Sequence, residues 1–385
     1  MLKKLLPVVA LSAALIGIPG QGVADDDPIR IGSFLSVSGP ASYLGDPQRK
    51  TLELFIERIN ENGGVLGREL EWQYYDDAGA ANEARTFARR LIAQDRSDIV
   101  IGGTTTGATM AAAELFQRQQ VPFISLAGAV VVVEPVKEWV FKTPETDRMA
   151  ARQVFADMQQ RGISKIGLIS GTGGFGASGR EQAHKVADEF GIEIVMDETY
   201  SPDDSDMTAQ LTRIRGNDEV EAIFNFDFGQ APAIVTRNYA DLGIELPLYQ
   251  SHGVASEGYL DLAGSAAEGV RLPVSPILVA ELLPDSDPQK APAMEYLEAY
   301  RAEYGEKPSA FGGYSYDALM LAVDAIERAG STDPQAVRDA LEATSDFQGV
   351  TGTFNMGPDD HMGLDIESSF RMVEIKDGTW SLLDQ

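Results

Sequence analysis

The 385-residue sequence contains no cysteine, which excludes disulfide staples, thiolate metal sites and cysteine nucleophiles together. Stability has to come from packing, and an oxidising compartment costs the chain nothing. Histidine is nearly as scarce, since His184, His252 and His361 are the only imidazoles that could act as bases. Positive charge is short as well: 31 Lys and Arg against 59 Asp and Glu leave a formal charge of −28. A field of that sign repels nucleic acid and anionic lipid. Solubility accounts for it, and a saline habitat that screens like charges over a few ångströms would favour it further.

Enzyme signatures are missing in the same way. Gly102–Thr109 is rich in Gly and Thr but lacks the Lys of a phosphate-clamping loop, and neither GxSxG nor HExxH occurs. Gly171-Thr172-Gly173-Gly174-Phe175-Gly176 satisfies GxGxxG, with Asp197 about twenty residues on, and so opens a dinucleotide-dependent reading. Its place in mid-chain and an exported location both count against that reading, and no cofactor is expected. Asp203-Asp204 with Asp206, and Asp359-Asp360 with Asp365, lack calcium-loop spacing and read as solvated turns, so no metal is expected. His184 falls on an exposed helix face and His361 in a turn. Only His252 falls where a ligand is expected.

What the chain does have is a leader and an alternating pattern. Lys3 and Lys4, an apolar run from Leu5 to Ile18 and small residues ending Gly22-Val23-Ala24 have the layout of a cleavable export signal over residues 1–24. The run is shorter than the about 20 residues of a membrane-spanning helix. A mature chain beginning near Asp25 and located in the periplasm is therefore expected.

Beyond it, β-rich apolar runs alternate with helical windows: Ile29–Phe34, Glu69–Tyr75, Asp98–Ile101, Val121–Ser125, Lys165–Ser170, Ile192–Met196, Val220–Phe226 and Pro247–Gln250, separated by windows such as Leu52–Glu61 and Glu83–Gln94. Such alternation predicts parallel sheets with crossover helices. About 360 residues exceed what one core supports, so two lobes are expected. The series restarts after Phe141-Lys142-Thr143-Pro144. The Pro-rich Leu272–Pro276 precedes three helical windows with no strand between them, and Gly349–Phe354, Phe370–Ile375 and Thr379–Leu383 return to strand patterning.

Ligands of open parallel sheets bind beyond the carboxyl ends of the strands. That directs attention to Ser36–Gly45, Gly102–Thr109, Ala127–Ala129, Gly171–Gly179 and Ser251-His252-Gly253.

The order and spacing of Ile31-Gly32, Ser38-Gly39-Pro40 with Gly45, Ile59-Asn60 with Gly63-Gly64, Tyr75-Asp76-Asp77, Val100-Ile101-Gly102, Val121–Ser125 and Ala267-Glu268-Gly269 resemble one family. It is that of the type I periplasmic binding proteins for branched-chain (hydrophobic) amino acids, and the resemblance spans essentially the whole chain after the leader. It implies an α/β fold of two doubly wound parallel-sheet lobes joined by three crossings, near Thr143, Val274 and Val350. Lobe 1 is then 25–143 plus 275–349, and lobe 2 is 144–274 plus 350–385. It also implies a monomeric, non-enzymatic binding protein that delivers a small molecule to the permease and ATPase subunits of an ABC importer.

Carried over residue by residue, the resemblance assigns the ligand carboxylate to Thr105, Thr106, Ala127, Gly128 and Ala129. Phe175 becomes a stacking ring, with Phe228 and Tyr43 as further wall residues. Two positions depart from the family. His252 stands where an acid pairs with the ligand's ammonium, and Ala129 replaces a hydroxyl residue. A desolvated ammonium without a partner costs several kcal/mol, so the departures favour an aromatic or hydroxylated carboxylic acid without an α-ammonium. Branched-chain amino acids remain open, because Asp227 lies close by in the chain, as do an amide or urea-type ligand and a sensor role.

Overall fold

The chain, described from a computed structural model over residues 27–383, places its apolar runs at the centre of two sheets. The leader expected over 1–24 lies outside the described residues. Ile99–Gly102 and Ala222–Phe226 are buried along their whole length, as strands covered by helices on both faces must be.

The first sheet comes from β1 (Ile29–Leu35), α1 (Ser42–Glu61), β2 (Leu70–Asp76), α2 (Ala81–Ala93), β3 (Ile99–Gly102), α3 (Thr106–Gln119), β4 (Phe123–Ser125) and β5 (Val140–Lys142). Its order is β2-β1-β3-β4-β5 and every pair is parallel. The chain then restarts with α4 (Asp147–Gln160), β6 (Lys165–Gly171), α5 (Gly174–Val186), β7 (Glu193–Tyr200), α6 (Thr208–Arg215), β8 (Ala222–Phe226), α7 (Ala231–Asp241), β9 (Leu248–Gln250), α8 (Glu257–Ala263) and β10 (Arg271–Val274). After these come α9 (Lys290–Tyr304), α10 (Ala310–Ala329) and α11 (Pro334–Glu342), a small hairpin of β11 (Phe347–Gln348) and β12 (Thr353–Phe354), then α12 (Ile366–Ser369), β13 (Arg371–Lys376) and β14 (Thr379–Leu382).

The second sheet is ordered β14-β13-β10-β9-β8-β6-β7. It is parallel except where β13 pairs with β10 and with β14. The α9–α11 segment, which follows the second sheet in sequence, packs back on the first lobe: α10 lies along α1, where the Phe55 ring stacks on Tyr296 and meets Tyr316 edge-on. Among the described residues no helix is long and apolar enough to cross a membrane.

Two readings of the sequence change here. Leu272–Pro276, the Pro-rich stretch around the crossing expected near Val274, begins inside strand β10. Proline inside a run normally argues against a strand, but β10 is bridged to β9 only at Arg271–Tyr249, so the missing N–H of Pro273 interrupts no pair on that side. Gly349–Phe354 forms a strand only at Thr353 and Phe354, because the preceding residues are engaged by a side chain.

That side chain belongs to α10, which braces all three passages between the sheets. On the first, the Thr143 hydroxyl donates to the Tyr314 carbonyl at 2.8 Å. On the second, the Ser275 hydroxyl donates to the Glu145 carboxylate and lies 3.4 Å from the Tyr314 hydroxyl. On the third, Asp317 accepts from Val350 N, Thr351 N and Thr351 Oγ1 at 2.7, 2.9 and 2.5 Å.

Burial lifts the Asp317 carboxyl to about 7, far above the ordinary value of about 3.9. The folded state therefore holds a proton that the unfolded chain releases above about pH 4, and this contribution to stability fades as pH rises toward 7 and is constant beyond. Asp317→Asn should flatten the fall in Tm between pH 4 and 7. Some slope should remain, because burial also lifts Glu145 and Asp227 to about 7. Asp317→Ala, which strands two buried N–H groups, should cost about 2–3 kcal/mol in chemical denaturation. An unaltered midpoint would show that the hinge does not rely on this carboxyl.

Candidate functional site

The carboxyl ends of β1, β3 and β4 face those of β6, β8 and β9, and the segments that follow them enclose a cavity of about 40 Å³. The first lobe contributes Leu44, Gln48, Thr104, Thr105, Thr106, Leu126, Gly128, Phe311 and Tyr314 to its wall. The second contributes Phe175, Phe228, His252 and Gly253, and Pro144 comes from the first passage between them. Such a space holds about three waters. Seating an organic solute therefore requires the wall to open, by lobe movement or by rotation of side chains such as Phe175.

On the first-lobe side, Thr105 caps α3, its hydroxyl accepting from Ala108 N at 3.2 Å. The hydroxyl of Thr106 next to it is buried without a partner. Opposite stands the start of α5: a Cβ on Gly174 would lie 3.6 Å from both Gly107 N and Thr106 Cβ. Two helix N-termini thus converge across the cleft, an arrangement that favours an anionic or acceptor group.

The second-lobe wall is aromatic. The Phe175 ring meets Phe228 and His252 edge-on at centroid distances of 5.8 and 5.4 Å, and His252 meets Phe370 at 5.4 Å.

No Asp, Glu, Lys or Arg lines the cavity among the described residues. His252 is uncharged at neutral pH, because burial, aided by the nearby positive charge of Lys142, pushes its imidazole down to about 3. Lys142 is itself fully buried behind the Gly128 turn, donating to the carbonyls of Gly128 at 3.1 Å and Glu145 at 3.3 Å. Burial lowers its ammonium to about 8. Asp227 faces away from the cavity. Its carboxyl packs so closely on the Gly171 backbone that a Cβ there would fall 1.9 Å from Oδ2, and burial raises it to about 7.

With this geometry in hand, residues 28–379 match the sequence profile described as periplasmic binding protein. The chain belongs to that family. The leucine-, isoleucine-, valine-, threonine- and alanine-binding protein of Pseudomonas aeruginosa is 25% identical over 349 residues, 90% of each chain. An extracellular ligand-binding receptor from Rhodopseudomonas palustris HaA2 superposes with a TM-score of 0.86 at 27% identity, covering 93% of this chain and 100% of the other. A solute binding protein of an ABC transporter from Rhodopseudomonas palustris BisB5, solved with 3,4-dihydroxy benzoic acid, shares the fold at a TM-score of 0.80 and 20% identity, covering 93% and 97%.

In this binding protein the cavity gathers Thr105, Thr106, Gly128, Phe175, Phe228 and His252 from the residues picked out in the sequence. Three others lie elsewhere. Ala127 and Ala129 are buried in the core and off the wall. Tyr43 sits edge-on against Phe311 at 5.8 Å and lines two other clefts.

The glycines read as a possible nucleotide loop answer to packing. A Cβ on Gly171 meets Asp227, and one on Gly176 meets the Gly171 backbone at 2.4 Å. Asp197 is taken up by Arg180 and His184. His361, expected in a turn after Asp359-Asp360, is buried, stacked on Phe141 at 4.1 Å and bonded to Val140 O.

Leu44, Gln48, Phe311 and Tyr314 were missed because their helices begin earlier than the apolar pattern shows. Gly45 and Pro47 break it in α1, and Gly312-Gly313 break it in α10. A Cβ on Gly45 would lie 2.1 Å from Ser36 O, so the glycine that hides the helix is the one that lets it pack on the strand end.

Gly128 is a second place where the lobes touch: a Cβ there would fall 2.9 Å from the Phe175 ring and 3.3 Å from His252 Nε2. Gly128→Ala is expected to hold the lobes apart, seen as a larger radius of gyration by solution scattering. Identical curves would show that Phe175 swings aside instead.

Proposed function

We propose that this periplasmic binding protein is the exported solute-binding component of an ABC importer and not an enzyme. Its ligand is a small organic carboxylate without an α-ammonium, in the first place an aromatic or hydroxylated acid. Lobe 1, taken as 25–143 plus 275–349, and lobe 2, taken as 144–274 plus 350–385, close over the solute and stabilise the closed state by contacts to both.

One observation carries the ligand class: the wall has no ionised carboxylate to meet an ammonium, while two helix N-termini and an unpartnered threonine hydroxyl await an acceptor. Lys142 behind the Gly128 turn adds positive potential of the sign that favours a carboxylate. The rings of Phe175 and Phe228 provide apolar area for the rest of the molecule. The fold is known to hold a hydroxylated benzoic acid in the Rhodopseudomonas palustris BisB5 protein. Wall residues proposed to touch the solute are Thr105, Thr106, Gly128, Phe175, Phe228 and His252, with Tyr43 closing the mouth and Ala127 and Ala129 shaping the turn.

A branched-chain amino acid is the second reading. It is favoured by the leucine-, isoleucine- and valine-binding relatives and by the unpartnered Oδ2 of Asp227, which would have to turn outward.

A thermal-shift panel of leucine, isoleucine, valine, benzoate, 4-hydroxybenzoate, coumarate, simple hydroxy acids and urea separates the two. A ligand at a hundredfold excess over its Kd adds about 2.7 kcal/mol. Stabilisation by acids and none by amino acids is expected. Stabilisation by leucine or valine alone would overturn the carboxylate reading in favour of Asp227.

A further inference from the structure

We propose that Gln48 is a specificity-determining residue: a buried amide locked so that only its N–H donors face the solute. The inference deepens the carboxylate reading and rests on it. It begins at Ser36, whose backbone N–H donates to Thr104 Oγ1 at 3.0 Å. That bond takes one of the two lone pairs of the threonine oxygen, and the hydroxyl proton has no acceptor other than Gln48 among the described residues. Thr104 gives it to Gln48 at 2.7 Å. An amide nitrogen has no lone pair to receive it, so the receiving atom is the carbonyl oxygen Oε1, and the orientation of the amide follows from the network.

Both amide hydrogens are then turned away from Thr104. Gln48 is 1% exposed and lines the cavity, and its amide nitrogen makes no hydrogen bond among the described residues. Beside it, Thr106 Oγ1 is also buried and unpartnered. The first-lobe wall therefore presents an NH₂, a hydroxyl and the first N–H groups of α3, three kinds of donor on one side of the cavity. A carboxylate, or a carboxylate with a neighbouring hydroxyl or oxo oxygen, supplies acceptors to all of them. An α-ammonium brings further donors to a wall that has no free acceptor in Gln48, so the lock selects against it.

Two near-isosteric variants test this, with the panel acid that stabilises the wild type as probe and each unliganded Tm recorded to separate folding from binding. By isothermal titration, Gln48→Leu should weaken the acid about tenfold, the value of one hydrogen bond. Gln48→Glu keeps one oxygen for Thr104 and turns the other toward the cavity, so it should weaken the acid further and gain a response to leucine. Acid binding within twofold of wild type in both variants would overturn the assignment. If Gln48→Leu does not fold, Gln48→Glu decides alone by the same criterion. Should leucine alone bind the wild type, the carboxylate reading falls and the selection against an ammonium falls with it, whereas acid binding shared by the wild type and both variants overturns the Gln48 assignment alone.

Discussion

The attachment of three chain passages to one helix is the constraint on which the site depends. A cleft between two sheets works only if their carboxyl ends face each other and keep facing each other as the lobes move. Side chains and carbonyls of α10 hold Thr143, Ser275 and Thr351, and Glu145 ties the first passage to the second. Gly349 belongs to the same device, since a Cβ there would fall 2.7 Å from the Asp317 carboxylate. Tyr314 and Phe311, about one and two turns upstream of Asp317 on α10, stand in the cavity wall. Hinge brace and ligand wall are therefore parts of one rigid element, so a solute pressing on Tyr314 bears directly on the passages that set lobe position.

Much of this was legible in the sequence, and the limits have physical causes. Alternating strand and helix patterns revealed both sheets, because buried parallel strands are almost continuously apolar and stand out wherever they occur. Loops after strands led to Thr105, Thr106, Phe175, Phe228 and His252, since parallel topology leaves little choice about where a ligand sits. The pattern gave nothing at Gln48, Phe311 and Tyr314. Those positions lie on helices whose first turns contain glycines that admit close packing, and a glycine erases the apolar periodicity by which a helix is recognised. Asp227 could not be placed from sequence either. Adjacent in the chain to Phe228, it turns the opposite way, into the space left by Gly171, and only three dimensions distinguish the two.

The site gains its polarity from asymmetry between the lobes. First-lobe groups near the cavity are donors already oriented by bonds of their own: Thr104 by Ser36, Gln48 by Thr104, and the α3 amides by the cap of Thr105. Second-lobe groups are rings that impose shape and exclude water. A solute held this way has its oxygen atoms read by fixed hydrogen bonds and its carbon skeleton by packing. Preorganised donors lose little entropy on binding, so the polar half can be selective even though each bond contributes only about 1 kcal/mol.

On the proposed reading, an anionic solute must still approach a protein of net charge −28. The two facts are compatible because they act at different ranges. Exposed charges are screened beyond about 8 Å at physiological ionic strength, so the summed acidic field slows encounter far more than it weakens the bound state. Inside the closed cleft the solute meets no acidic side chain on the wall, two helix N-termini in front and the Lys142 ammonium behind the Gly128 turn. In that less polar surrounding, nearby partial charges outweigh distant full ones. The acidic exterior can therefore serve solubility while the cavity keeps its preference for acceptors, provided that acids close to the cleft stay neutral or turn away. Asp227, folded against Gly171 and raised toward neutrality, meets that condition.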